Sequence, residues 1–272
     1  MDIAIIITTP DYAGINIEEH LLLHNFTKTG NIFENNEIYN FKNKINNITI
    51  YTTDKRCIYC ENIDKEINAD IFIFPTTHRS SSGTHSLSCH TQGNWGKADL
   101  GGSPNNLGIC PAILIKEIFK ELNKKGSELD EEITMEATHH GPDIDKPVIF
   151  CEIGSDESQW KRKDLGKLWA DIIMEVLNKP LPELETAIGI GGSHYCTNFN
   201  RIQLKNNIAI GHICPKYALE YLNEEMIIQA INKTIPKPKI AILDWKGIGE
   251  RKQEIISILN KLNIKIKRTK DF

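Results

Sequence analysis

The chain has 272 residues, of which 40% are apolar, 25% charged and 7% aromatic, with a formal net charge of −4 at pH 7. Disorder as the main theme is excluded, because it needs low hydrophobicity together with high net charge, and no apolar run approaches the roughly 20 residues that cross a bilayer. At this size one domain spanning 1–272 is expected.

The opening MDIAIIITTPDYAG has no basic leader and too short an apolar stretch for a signal peptide, so cytoplasm is the expected compartment and Ile3–Thr8 reads as a buried strand. Asn16 through Glu19 has the form of a capping box before helical spacing in EEHLLLHNF. Strands are expected at Ile48–Thr53 and Ala69–Phe74, with a short helix between them. That connection holds Cys57 and Cys60 in CxxC spacing. No second ligand pair follows, so two partly buried thiols are the main reading and a metal or redox role the lesser one. Pro111 suits the first turn of a helix through Asn123, with Gly126 just beyond its end. Strands at Glu132–Thr138 and Val148–Ile153 precede a long helix capped by Ser155 and ending near Asn178. Further strands are expected at Thr186–Gly191 and Ile208–Ile213, and the last unit is strand Lys239–Asp244, helix Glu250–Asn263 and strand Ile264–Arg268. This alternation implies an α/β chain with a largely parallel sheet covered on both faces.

Residues 75–110 resist that pattern. They show almost no apolar periodicity, and an unstructured connection of such length inside a compact domain is usually functional or disordered. The stretch carries three His, an Arg and a Trp among Ser, Thr and Gly, which points to function. Its His78-Arg-Ser-Ser-Ser-Gly-Thr segment offers hydroxyls, backbone donors and a guanidinium that could cradle a phosphate or carboxylate; a flexible polar loop is the alternative.

The nine histidines are the sharpest signal. His20 and His24 lie four apart on a helix without a neighbouring HExxH acid and read as surface or core residues. The other seven, His78, His85, His90, His139, His140, His194 and His212, fall at expected strand ends or in glycine-rich loops, and Glu152 closes a strand beside them. In an open parallel sheet the carboxyl ends of strands border the ligand crevice. Imidazoles with a carboxylate are what Zn²⁺ asks for, with one position left open for water in a catalytic site. No P-loop, complete dinucleotide fingerprint or GxSxG is present, and Cys89 beside His90 is a weak candidate nucleophile.

Charge is uneven: residues 1–232 carry 21 Lys and Arg against 32 Asp and Glu, whereas residues 233–270 carry 11 against three. The basic end is either a phosphate-facing surface or a solvated tail.

The series PTTHRSSSGTHSLSCHTQGNWG, GGSPNNLG, EATHHGP, EIGSDESQW, GIGGSHY, GHI and DWKG resembles the archaeal and plant type of D-aminoacyl-tRNA deacylase across nearly the whole chain. The resemblance implies hydrolysis of the ester joining a D-amino acid to the 3′ end of tRNA, with glycine mischarged on alanine tRNA as a second substrate. It also implies two zinc ions per subunit and a phosphorylase/hydrolase-like three-layer α/β/α fold with a mixed, mostly parallel sheet. Within that expectation, position at strand ends assigns the metal to His90, His139, His194 and Glu152, and catalysis to Glu152, His140 and His78. Substrate binding falls to Arg79, Ser81, His85 and His212, and the tRNA acceptor stem to Lys265, Lys267 and Arg268 in a monomer with no membrane contact. Another zinc hydrolase of peptide-like substrates on a similar fold, and a non-catalytic RNA-binding protein, are the competing classes; sparse aromatics disfavour the second.

Overall fold

The computed structural model describes residues 1–80 and 83–272. The first half of the chain runs β1 (Asp2–Thr8), α1 (Tyr12–Leu21), β2 (Thr27–Phe33), β3 (Asn36–Lys42), β4 (Asn47–Thr53), β5 (Ile71–Arg79) and β6 (Ser86–His90). Three two-residue strands, β7 (Gly93–Asn94), β8 (Asn106–Leu107) and β9 (Cys110–Pro111), lead into α2 (Ala112–Lys125) and β10 (Glu132–Met135). Then come β11 (Val148–Ser155), α3 (Glu157–Trp160), α4 (Lys163–Leu177), β12 (Glu185–Ile190), α5 (Thr197–Lys205) and β13 (Ile208–Cys214). The chain closes with α6 (Glu224–Asn232), β14 (Thr234–Ile235), β15 (Ile240–Leu243), α7 (Lys252–Lys261) and β16 (Lys265–Arg268).

These strands form a mixed, mostly parallel architecture. An eight-stranded sheet has the order β10-β6-β11-β5-β1-β4-β3-β2, and a separate four-stranded sheet, β13-β12-β15-β16, is parallel throughout. In the large sheet β4, β1, β5 and β11 run parallel, while β6 is antiparallel to β11 and carries β10 with it. The β2–β3 hairpin turns at Glu34 and Asn35, which both adopt positive φ, as hairpins joined by two residues require.

Side chains alternate between the two faces of a strand. Ile73, Leu87, Cys89, Ile149, Cys151 and Ile153 point into the main core, where Trp169 of α4 and Leu114 and Phe119 of α2 also pack. The opposite face of the same strands carries Phe74 and Phe150, and these lie side by side in the register. One step along the strands come Thr76 beside Glu152, then His78 beside Gly154. From the reversed β6, His90 pairs with Phe150 and Ser88 with Glu152. One face therefore changes from apolar to polar over a few residues, and the polar part lies in the middle of the sheet.

Several sequence expectations change here. Residues 75–110 are not one connection, because β5 continues to Arg79 and β6 is a buried strand between β10 and β11 of the large sheet. The first helix starts at Tyr12 and is capped by Asp11, whose Oδ1 accepts from Gly14 N at 2.9 Å, rather than by a box at Asn16. Asn16 instead lies inside the helix and donates to the carbonyl oxygens of Trp160 and Arg162. Ser155 belongs to β11, and the helix expected after it is two helices: Asp156 caps α3, and α4 begins at Lys163.

Candidate active site

Five imidazoles and two carboxylates meet where the polar face of the large sheet touches the loops after β10 and β12. Glu152 comes from β11, His78 from β5 and His90 from the end of β6. Glu136, His139 and His140 follow β10, and His194 follows β12 in GGSHY. A backbone bond from Ala137 N to His194 O, 2.8 Å, ties the two loops together, and one from Thr138 N to Ile213 O, 3.1 Å, ties the first of them to β13. His140 adopts a positive φ of 47°, a strained conformation for a residue with a Cβ and one that concentrates at functional sites.

The carboxylates organise the cluster. His78 Nδ1 stands 3.2 Å from both Glu136 Oε1 and Glu152 Oε2. Thr76 Oγ1 donates to Glu152 Oε1 at 3.0 Å, and His90 Nε2 lies 3.5 Å from the same oxygen. Glu136 Oε2 is 2.9 Å from His194 Nε2 and 3.5 Å from His139 Nε2. Two tyrosines hold the outer edges: Tyr195 OH is 3.3 Å from His78 Nε2, and Tyr217 OH is 3.0 Å from His194 Nδ1.

Three rings show which nitrogen is free. The Nδ1 atoms of His90, His139 and His140 lie 3.1, 2.8 and 2.6 Å from the carbonyl oxygens of Thr91, Ala137 and Gly141. A carbonyl oxygen only accepts, so in the neutral ring the proton sits on Nδ1 and Nε2 keeps its lone pair. This is the arrangement that main-chain carbonyls impose on metal-binding histidines. The three rings pack with centroids 4.2 to 4.9 Å apart. Beyond the ion-pair contacts of His90 Nε2 to Glu152 and of Glu136 Oε1 to His78, these two buried atoms have no hydrogen-bond partner among the described residues, which fits electron-pair donors facing a cation.

Burial and the charges of His90 and His140 push His139 well below the ordinary imidazole value, and burial together with His90 brings His140 down to about 4. Both are therefore neutral near pH 7, as a ligand must be. Burial alone would also lower His78, but its hydrogen bond to Glu152 and the charges of Glu136 and Glu152 raise it to about 9. Glu152 and Glu136 remain ionised: burial works against the charge, and the histidines His78, His90 and His194 outweigh it. Groups whose donor atoms all lie within 4.8 Å of one another are His90 with His139 and His140, Glu136 with His139 and His194, and His78 with Glu136 and Glu152.

A cavity of about 390 Å³ opens over the cluster, with Glu152, His78, His139, His140 and His194 on its floor. Asp11 and Thr77 form one wall, tied by bonds from Thr77 N and Oγ1 to Asp11 Oδ2 at 2.9 and 3.1 Å. Arg79 lines the cavity near its rim. Cys57 also lines it, with burial pushing its thiol up, and all seven cysteines are free.

Other residues singled out in the sequence stand elsewhere. His212 is fully buried, with Nδ1 3.1 Å from Thr138 Oγ1 and Nε2 3.0 Å from Gly108 O, so both nitrogens are engaged away from the cavity. His85 is half exposed, 3.7 Å from Asp156, and outside the lining. Ser81 lies outside the described residues. Lys265, Lys267 and Arg268 sit on β16, the edge strand of the small sheet; Lys267 lies over the Phe272 ring and Arg268 over Trp245. Sequence reasoning missed Glu136, Tyr195, Tyr217 and Arg56. Glu136 had a signal, a carboxylate three residues before His139 in MEATHH.

Gly154 makes room for the central histidine. A Cβ there would come within 2.8 Å of His78 Cδ2 and 2.9 Å of Ser86 Oγ. Gly154→Ala is expected to displace the His78 ring and lower turnover about 100-fold, because misplacement near 1 Å has that effect. Stability should fall by about 1–3 kcal/mol, as overpacking does. Steady-state kinetics beside a thermal melt checks both, and wild-type turnover would show that the ring position is unimportant.

Known proteins agree with this picture. A family model for D-aminoacyl-tRNA deacylase matches residues 65–267. The D-aminoacyl-tRNA deacylase of Pyrococcus furiosus is 34% identical over 273 residues, covering 96% of this chain and 97% of that protein. That of Methanosarcina acetivorans is 33% identical over 275 residues, covering 97% and 91%. A solved structure of a conserved protein of unknown function, AF0625, superposes with a TM-score of 0.90 at 28% identity, covering 100% of this chain and 96% of that one. From residue 65 to residue 267 the chain carries the family's pattern, and its relatives align over nearly all of its length: it belongs to the D-aminoacyl-tRNA deacylase family.

Proposed function

We propose that this chain hydrolyses the ester between a D-amino acid and the 3′ end of tRNA, releasing both, with glycine mischarged on alanine tRNA as a further substrate. The observation that carries the reading is the cavity floor, where buried carboxylates and lone-pair imidazoles converge under an opening of the size of a small ligand. The relatives named for this reaction supply the substrate class.

The donor set suits zinc: the Nε2 atoms of His90, His139 and His140, whose Nδ1 atoms face carbonyl oxygens, for one ion, and Glu136 with His194 for a second. When bound, zinc supplies a Lewis acid that acidifies water and polarises an acyl carbonyl. The protein does the remainder. His78 holds a proton at Nε2 against Tyr195 OH, available to the ribose oxygen as it leaves the acyl carbon. Glu152 steadies that imidazolium through Nδ1 and is itself fixed by Thr76. Asp11 and Thr77 make a rigid wall beside the acyl group, the place where one enantiomer is accepted and the other blocked. The basic strand β16 gives the acceptor stem a second point of contact through Lys265, Lys267 and Arg268. The reaction belongs in the cytoplasm, where charged tRNA is found. Among the described residues no helix is long and apolar enough to cross a membrane.

Release of tyrosine from D-tyrosyl-tRNA and L-tyrosyl-tRNA, with and without a zinc chelator, tests the reading. Chelator-sensitive release from the D form alone is expected. Release from neither form would overturn the deacylase reading, and release that survives chelation would overturn the zinc.

A further inference from the structure

The chain has six arginines, and four of them are committed to partners within the fold. Arg162 pairs with Glu131 and Asp164, Arg251 with Glu254, and Arg268 with Asp271. Arg201 donates to the carbonyl oxygens of Thr269 and Phe272. The remaining two, Arg56 and Arg79, have no carboxylate or carbonyl partner among the described residues, and both line the cavity above the histidine cluster. They reach it from separate elements: Arg56 precedes the short turn Cys57–Tyr59, and Arg79 ends β5. Both are exposed, and each guanidinium lies over an aromatic ring, Arg56 5.9 Å from the Tyr59 centroid and Arg79 5.0 Å from that of Trp160. A planar guanidinium resting on a ring keeps its hydrogen-bonding edge free and ordered.

The surroundings specify the ligand. The floor is taken up by the histidine–glutamate cluster, and the two arginines stand at exposed positions of the lining, so a phosphate finds its guanidinium donors there and not in the depth of the cavity. Tyr59 is 57% exposed beside Arg56, and Leu100, 54% exposed, lines the same cavity. Unpaired cations next to exposed apolar side chains match a nucleotide better than a free anion. In an aminoacylated terminal adenosine, the ester and the 5′-phosphate leave opposite sides of one ribose. With the ester at the histidine floor, the phosphate points away from it, towards the exposed part of the lining that holds Arg56 and Arg79.

We propose that Arg56 and Arg79 form a phosphate subsite at the cavity rim that holds the 5′-phosphate of the 3′-terminal adenosine. This rests on the deacylase reading and adds to it how the substrate end is registered: the phosphate is gripped one ribose away from the bond that is cut. Guanidinium–phosphate pairs are bidentate and charge-assisted, so the subsite discriminates between a nucleotide and a nucleoside.

The test compares 3′-O-D-tyrosyl-adenosine with the same ester bearing a 5′-phosphate. The wild-type chain is expected to favour the phosphorylated ester by about 10-fold or more in kcat/KM, the discrimination that charge-assisted hydrogen bonds supply. The double variant Arg56→Gln, Arg79→Gln should bring that ratio close to one. The pair Arg56→Lys, Arg79→Lys should restore part of it, since the charge returns without the fork, and this separates loss of the subsite from loss of the fold. Equal use of both esters by the wild-type chain, or a ratio that survives in the Gln variant, would overturn the subsite while leaving the deacylase intact. Hydrolysis of neither ester would overturn the deacylase reading and the subsite with it.

Discussion

Glu152→Gln is expected to lower kcat on D-aminoacyl-tRNA about 10³-fold, the range over which positioned proton-transfer groups act. Its side chain is where the three strands of the polar face meet: Thr76 donates to Oε1 from β5, His90 faces the same oxygen from β6, and His78 faces Oε2. Glutamine keeps the shape and one acceptor oxygen but removes one of the two charges that hold His78 protonated, together with the hydrogen bond that contributes most to it, so the proton source for the leaving ribose oxygen is weakened. The fold should survive, because the amide still accepts from Thr76 and no volume is lost. Single-turnover hydrolysis beside a thermal melt separates the two effects. Wild-type turnover in the variant would remove Glu152 and His78 from the mechanism.

The second large effect lies far from the cavity. Lys116→Met is expected to destabilise the chain by about 3 kcal/mol, since removing a buried cation orphans the groups it served. Buried on α2, Lys116 donates to Gln203 O in the last turn of α5, to Asn206 O just after it at 2.7 Å and to Ile208 O at the start of β13 at 3.0 Å. An ammonium there also meets the negative end of the helix dipole. At roughly 2–4 °C per kcal/mol for a chain of this size, the melting temperature should drop by about 6–12 °C. Burial brings the ammonium down to about 8, below the unfolded value of about 10.5. Between those pH values the unfolded chain binds the proton more readily, so stability contributed by this group rises with pH across that window. Melts recorded from pH 7.5 to 10.5 should show this rise in the wild-type chain and lack it in the variant. An unchanged melting temperature would mean the carbonyls find other donors.

Much of the architecture was legible because buried parallel strands announce themselves as apolar runs. Ile3–Thr8, Ile48–Thr53 and Val148–Ile153 stand where such runs predict them. β6 was hidden for the opposite reason: of Ser86–His90 only Leu87 and Cys89 face the apolar core, while Ser86, Ser88 and His90 face the cluster, so the strand that builds the site reads as a polar loop. Strand direction was also illegible. A common carboxyl edge accounts for His78, but His90, His139 and His140 arrive on strands that run the other way and meet it in the middle of a face. Glu136 sits one residue beyond β10, hidden between an apolar strand and a conspicuous His pair. His212 has the same sequence context as its neighbours, yet β13 continues past it to Cys214, which keeps it inside the sheet.

The bonds from Ala137 N to His194 O and from Thr138 N to Ile213 O join the loop after β10 of the large sheet to the loop after β12 and to β13 of the small one. His194 and Tyr217 belong to the small-sheet side of that seam, and Glu136 and His139 to the large-sheet side. Neither half of the chain carries all seven groups, so the centre is complete only where the two sheets meet. The amide protons of Ala137 and Thr138 are protected by that seam, and their exchange with solvent clocks its opening without any substrate present.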